Sequence, residues 1–243
     1  MKQHLLHDEI LKLIRKNSGK PTQHTFLDSY LGNSHPRYPI NAPTLRKISK
    51  DWMKAHRDLS TENFQKLLLS LVKGKSSTEK VMVGALLDDS TLEQRRFNPE
   101  VFDQFLDHLE GWAEVDSVCT GAYTKTEIPR DWKHWKKLLT QFSKSKNIQK
   151  RRASLVFLCS PIRIEKNAEL LRIALKNIDK LKAEKEILIT KAISWLLRSA
   201  VTKHSEEIRE YLLFNKETLP KIAVRETIAK LETGRKTKKL RMS

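Results

Sequence analysis

The stretch Ser60-Thr61-Glu62-Asn63-Phe64-Gln65-Lys66-Leu67-Leu68-Leu69-Ser70-Leu71-Val72-Lys73-Gly74 contains a start, a face and a stop. The Ser60 hydroxyl can accept from the first-turn N–H groups, so the helix is predicted to open at Thr61. Leu67, Leu68, Leu71 and Val72 recur at the three-and-four spacing that gathers apolar side chains on one side of a 3.6-residue turn. Lys73-Gly74-Lys75-Ser76 then reads as a connection. Outward from this stretch the same pattern repeats. Leu5, Leu6, Ile10, Leu13 and Ile14 form one such face and Val101, Phe102, Phe105, Leu106 and Leu109 another. Asn98 before Pro99-Glu100 marks a further start, and Pro43 and Asp131 open two more helices.

These signals predict helices near 5–15, 24–31, 43–56, 61–73, 78–87, 99–110, 113–123, 131–142, 148–158, 165–177, 184–200, 205–214 and 219–231. Only 7 Gly and 8 Pro occur in 243 residues, and no stretch alternates as a strand does, so the fold class is all-α. Helices of similar length joined by short connections favour a HEAT-like repeat solenoid of antiparallel helix pairs, with a compact bundle as the rival arrangement. The expected organisation is one helical repeat domain over residues 1–233, followed by a basic, flexible tail at 234–243.

Charge narrows the partner. Lys and Arg number 47 against 29 Asp and Glu, a formal +18, which makes nucleic acid the leading expectation. The tail contributes Arg235, Lys236, Lys238, Lys239 and Arg241 without an acid, so most of the excess belongs to the helical body. Lys133, Lys136, Lys137, Lys144, Lys146, Lys150, Arg151 and Arg152 are expected to line one concave, DNA-facing surface. With no apolar run of membrane-spanning length and no signal-peptide pattern, the expectation is a cytoplasmic protein without a membrane partner. Cys119 and Cys159 stand in apolar helical text, read as buried thiols, and His4 and His7 lack further ligands nearby, so neither metal nor cofactor is expected. Without a coiled-coil pattern, a monomer is expected.

Four segments carry a more specific signal. They are Tyr30-Leu31 with Pro39-Ile40-Asn41-Ala42-Pro43-Thr44-Leu45-Arg46; Trp112-Ala113-Glu114-Val115-Asp116-Ser117; Asn147-Ile148-Gln149-Lys150-Arg151-Arg152-Ala153; and Lys191-Ala192-Ile193-Ser194-Trp195-Leu196-Leu197-Arg198. In order and spacing they resemble the AlkD-like family of DNA alkylation repair glycosylases. The resemblance implies a helical-repeat solenoid that cups duplex DNA and hydrolyses the N-glycosidic bond of cationic N3- or N7-alkylated purines, leaving the lesion stacked rather than flipped into a pocket.

By the same resemblance, Asp116 is the catalytic carboxylate, Trp112 and Trp195 grip the lesion's sugar, and Arg152 holds the adjacent phosphate. Tyr30 and Asn41 match positions near the opposite side of the DNA, with Lys150, Arg151 and Arg198 as further DNA contacts. The chemistry is coherent. A base that already carries positive charge leaves readily, so the site mainly has to stabilise a sugar cation, which a carboxylate does electrostatically and tryptophan faces do through their π density. Trp112 and Asp116, four residues apart, share one helix face. Relatives of this fold also bind branched or distorted DNA without excising a base, which leaves a catalytically silent DNA-binding protein as the alternative. Trp52, Trp132 and Trp135 match no family role and are read as packing or groove residues.

Overall fold

Helix starts in this chain are fixed by side chains that replace missing intrahelical partners. Ser76 gives the fullest case: the Glu79 N–H donates to its hydroxyl at 3.2 Å while the Ser76 N–H donates to the Glu79 carboxylate at 2.8 Å, a reciprocal box that satisfies two backbone donors. Asn41, Ser60, Asn147 and Asn167 also cap helices with their side-chain oxygens.

A computed structural model of the chain describes residues 5–20 and 32–237. Among these residues it is all-α, with no strand. In chain order the helices are α1 (Leu5–Lys16), α2 (Ala42–Ala55), α3 (Thr61–Val72), α4 (Ser77–Asp89), α5 (Val101–Leu106), α6 (Gly111–Cys119), α7 (Ala122–Arg130), α8 (Trp132–Phe142), α9 (Ile148–Val156), α10 (Pro161–Ile164), α11 (Ala168–Leu181), α12 (Ile187–Ala200), α13 (Ser205–Asn215) and α14 (Lys221–Thr233). The helix expected at 24–31, and Tyr30 with it, lies outside the described residues.

The chain divides into two compact units, Met1–Tyr123 and Thr124–Ser243. In the first, α2, α4 and α6 pack side by side as one row, and α1, α3 and α5 make a second row against it. In the second, α9, α12 and α14 form one row, α8, α11 and α13 the other, and α10 packs on α12. Alternate helices thus share a row and consecutive helices pair across rows, an arrangement within each unit consistent with a helical-repeat solenoid. The opening stretch behaves as its pattern demands, with Phe64, Leu67, Leu68, Leu71 and Val72 all buried.

Three local differences from the sequence pattern have physical reasons. The run 113–123 is two helices, because α6 ends at Cys119, Thr120 is extended and Gly121 sits at φ +143. The Asp88 side chain presses against Gly121 where a Cβ would stand and accepts from the Tyr123 N–H at 3.1 Å, so the start of α7 is capped from α4 and has no local cap to read. The run 99–110 contracts to α5, although Leu109 beyond it stays buried. The single turn of α10 is too short to leave a periodic signal.

Gly84 sets the closest helix approach in the first unit. A Cβ built on it would overlap the Ser117 carbonyl oxygen of α6 and lie 2.5 Å from the Ser117 carbonyl carbon. Both obstacles are backbone, so neither can rotate away. Gly84→Ala is therefore expected to destabilise by about 1–3 kcal/mol through overpacking, lowering Tm by roughly 2–12 °C for a chain of this size. Thermal unfolding followed by circular dichroism reads this directly, and an unchanged Tm would show that α4 and α6 separate freely.

Candidate functional site

Helix α6 presents Trp112 and Asp116 from a start that is pinned on its buried side. Glu114, with no exposed surface, accepts from the Glu110 N–H at 2.8 Å and from the Asn33 amide at 3.2 Å. The His35 ring nitrogen Nδ1 lies 3.0 Å from the same carboxylate. Glu110 in turn accepts from the Ser34 N–H at 3.0 Å and the Ser34 hydroxyl at 2.8 Å. Residues 33–35 are thereby fastened to the first turn of α6, where carboxylates also meet the positive end of the helix dipole. The sequence reading missed this pair of glutamates. The available signal was an acid within the apolar stripe of α6, since Glu114 shares its buried face with Gly111, Val115 and Val118, and an acid so placed requires partners.

On the other face of α6, Trp112 and Asp116 are both half-buried and stand about one 5.4 Å turn apart. They line a cleft of about 1160 Å³ in the first unit. Across it stand Asn41, Arg46 and Lys50 from α2 and its cap, Tyr38 from the preceding segment, and Asp88 and Asp89 from α4. Asn41 also has a local task, since its Oδ1 accepts from the Thr44 N–H at 2.9 Å to start α2. Asp89 accepts from the Ser49 hydroxyl at 2.7 Å. Arg37 and Lys20 bring the cations on the cleft wall to four, against the three carboxylates Asp88, Asp89 and Asp116. The cleft therefore pairs an aromatic face and a carboxylate with cations able to hold an anionic chain.

The remaining expected residues belong to the second unit. Trp195 is half-buried on α12, one turn from exposed Lys191. Arg198 lies 3.3 Å from Glu226 of α14, and Ser194 donates to the same carboxylate at 2.6 Å. The basic run 150–152 is largely committed within the protein. Arg151 pairs with Glu184 at 2.9 Å and donates to the carbonyls of Ser145 and Lys146 at 2.9 and 2.8 Å. Arg152 is only 3% exposed and donates to the Leu188 carbonyl, and Lys150 is buried as well. Asn41, Trp112 and Asp116 thus share one cleft, while Lys150, Arg151, Arg152, Trp195 and Arg198 sit on α9 and α12 of the other unit.

The family model for DNA alkylation repair enzymes matches residues 12–231 of the sequence. The chain belongs to the DNA alkylation repair enzyme family. Among solved structures, that of a predicted DNA alkylation repair enzyme from Enterococcus faecalis is similar over 93% of this chain and 100% of its own, with a TM-score of 0.70 and 18% identity, which supports the shared fold. Comparison with curated proteins returns no match. In this member of the DNA alkylation repair family, no helix among the described residues is long and apolar enough to cross a membrane. Among the same residues, no cluster of three His, Cys, Asp or Glu could hold a metal ion. Cys119 and Cys159 are both buried. Trp52 packs in the core, stacked on His56 with ring centroids 3.8 Å apart.

The clasp at the start of α6 is sensitive to acid. The Ser34 N–H and hydroxyl hold the Glu110 carboxyl below the ordinary glutamate range, with burial opposing them and His35 and Lys80 reinforcing them. A depressed folded value means that this contribution to stability is complete above the unfolded value, about 4.3, and is lost as pH falls through the folded one. Glu110→Gln is expected to flatten the fall in urea midpoint between about pH 5 and pH 3, since the amide no longer titrates. A profile identical to the parent's would remove Glu110 from the acid response.

Proposed function

We propose that this DNA alkylation repair family member is a monofunctional DNA glycosylase that hydrolyses the N-glycosidic bond of cationic N3- or N7-alkylated purines in duplex DNA. It acts as a monomer and uses neither metal nor cofactor. The observation that carries the reading is the pairing of Trp112 and Asp116, one turn apart on a clasped helix and facing an open, partly basic cleft. In the proposed reaction the bond from the sugar C1′ to the purine nitrogen breaks and its electron pair neutralises the cationic base. Leaving-group protonation is therefore unnecessary. Asp116 stabilises the positive charge developing on the sugar and orients the water whose oxygen bonds to C1′, and the water's surplus proton passes to solvent. Trp112 and Trp195 supply π faces to the sugar.

Asn41, Arg46 and Lys50 are proposed to track the DNA backbone along the cleft, with Tyr30 on the opposite strand, and Lys150, Arg151 and Arg198 to add positive potential from the second unit. Arg152 is proposed to meet the phosphate beside the lesion. Because its guanidinium is nearly buried and bonded to the Leu188 carbonyl, that contact requires the side chain to exchange this hydrogen bond for the phosphate. The same burial favours a second reading, a catalytically silent protein that binds branched or distorted DNA.

The two readings part in a single-turnover assay on duplex DNA carrying one N7-methylguanine, with the abasic strand and the freed base both detected. The parent is expected to release base, and Asp116→Asn to lose about 100-fold or more of that rate while retaining most duplex binding. Unchanged turnover in the variant would exclude Asp116 as the carboxylate. No release by the parent from either N3- or N7-alkyl lesions, with salt-sensitive binding to four-way junctions, would establish the silent reading.

A further inference from the structure

The second unit carries a strongly charged surface that the proposed chemistry does not use. Lys133, Lys136 and Lys137 of α8 face Arg172 and Lys176 of α11 across a groove of about 700 Å³, with Trp132 in its wall. Among the described residues only Glu169 answers them, taking Lys136 at 2.7 Å and Arg172 at 3.1 Å. Beyond the groove, burial first, then the neighbouring charges of Lys144 and Lys176, draws the Lys180 ammonium below its ordinary value. Asp179, the nearest remaining acid on α11, is turned to Lys182 at 2.9 Å and Tyr211 at 2.8 Å. Among the described residues, Lys133, Lys137, Lys144, Lys176 and Lys180 have no acidic partner.

The spacing is regular. Arg172, Lys176 and Lys180 follow one another every fourth residue, and Lys133 and Lys137 do the same on α8. Lys136 meets Glu169 near the start of α11, and further along both helices the Asn177 amide donates to the Leu139 carbonyl at 3.4 Å, so the two helices run side by side in the same direction. The α11 row spans about 12 Å at 1.5 Å per residue, a length over which one strand of a duplex presents about three or four phosphates. The large exposed apolar residues, Leu5, Leu92, Ile164, Ile187, Leu213, Phe214 and Ile228, are all on other segments, so apart from the half-buried Trp132 α8 and α11 offer little that would enter a lipid surface. These helices also form the row opposite the one that holds Arg152 and Trp195.

We propose that the α8–α11 groove is a second DNA-binding surface, which holds the phosphodiester backbone of a duplex segment other than the one met by the opposite row of the same unit, where Arg152 and Trp195 stand. This rests on the reading that the chain works on DNA, but not on catalysis by Asp116. Lysines left crowded and unpaired gain most from an anion that releases its counterions on binding. A protein with two such surfaces bridges DNA segments, keeping one in hand while the other is searched.

The test uses the full chain and a variant carrying Lys133→Ala, Lys137→Ala, Lys176→Ala and Lys180→Ala. Alanine is the best helix former and these lysines have no acidic partner to lose, so far-UV circular dichroism and Tm are expected to match the parent. The probe is a labelled, unmodified 16-base-pair duplex, and sedimentation velocity at low salt reads how many duplexes each protein carries at saturation. The parent is expected to carry two and the variant one, with the second association weakened at least tenfold, and the parent but not the variant is expected to bring two differently labelled duplexes together. A parent that carries one duplex, or a variant that still carries two, overturns the proposal. So does binding of phosphatidylserine vesicles or polyglutamate that the variant loses while its duplex count stays at two. Base release from an N7-methylguanine duplex, measured in parallel and expected to persist in the variant, reports separately on the glycosylase: if the parent releases no base, the duplex count still tests this surface by itself.

Discussion

A glycine where two backbones meet is the constraint on which the first unit depends. Gly84 lets α4 approach until its own backbone touches that of α6 at Ser117, and α4 is the middle member of the row α2, α4, α6. Helix α4 is therefore buried well beyond one stripe, and its first turn, Ser77, Thr78, Glu79 and Lys80, is polar and buried at once. Groups so placed are tolerable only when paired. Glu79 Oε1 lies 2.8 Å from His7 Nε2, whose Nδ1 lies 2.8 Å from the Ser70 hydroxyl. Lys80 donates to the carbonyls of Val72 and Gly74 at 2.6 and 3.0 Å, occupying acceptors that the end of α3 leaves open. The ends of α1, α3 and α4 are thus tied at one place, and α6 is set against that knot.

Where a signal was local, the sequence made it legible. Helix α3 has its cap at Ser60 and its apolar face at Leu67, Leu68, Leu71 and Val72 within one stretch, and both the element and its buried side follow from them. The break between α6 and α7 was not legible, because the group that enforces it, Asp88, is 35 residues from Tyr123 in the chain. Helix α7 also has Pro129 in its final turn, which reads as a terminator although the preceding residues hold a helix. The α4 pattern is similarly opaque, since a helix buried on several sides has no single apolar stripe to detect.

The candidate site divides along the same line. Trp112 and Asp116 are four apart, so their common face is a consequence of helix geometry alone. The basic residues are different. Arg151 and Lys137 are indistinguishable as letters in a charge run, yet Arg151 is spent on Glu184, 33 residues away, and on two carbonyls, while Lys137 meets no acid among the described residues. The expectation that 133–152 forms one DNA-facing surface fails for this reason. Its first part lies on α8 and its last part on α9, helices of different rows, and many of its final charges hold the unit together.

A formal charge of +18 says that an anion is wanted but not where, and the structure distributes that charge unevenly. In the cleft of the first unit, four cations and three carboxylates nearly balance, which suits chemistry that must hold a polyanion and stabilise a cation in the same place. Between α8 and α11 the cations go almost unanswered. In the proposed reaction a balanced site discriminates between charge states of a substrate, because its carboxylate prefers a sugar that is turning positive; an unbalanced one answers only to the number of phosphates it meets. In the proposed reaction the clasp of Glu110 and Glu114 serves the balanced site, since electrostatic stabilisation depends on a carboxylate that is already in position when charge develops. The α8–α11 surface needs no such precision, and the long, rotatable lysines that make up most of its cations fit that looser task.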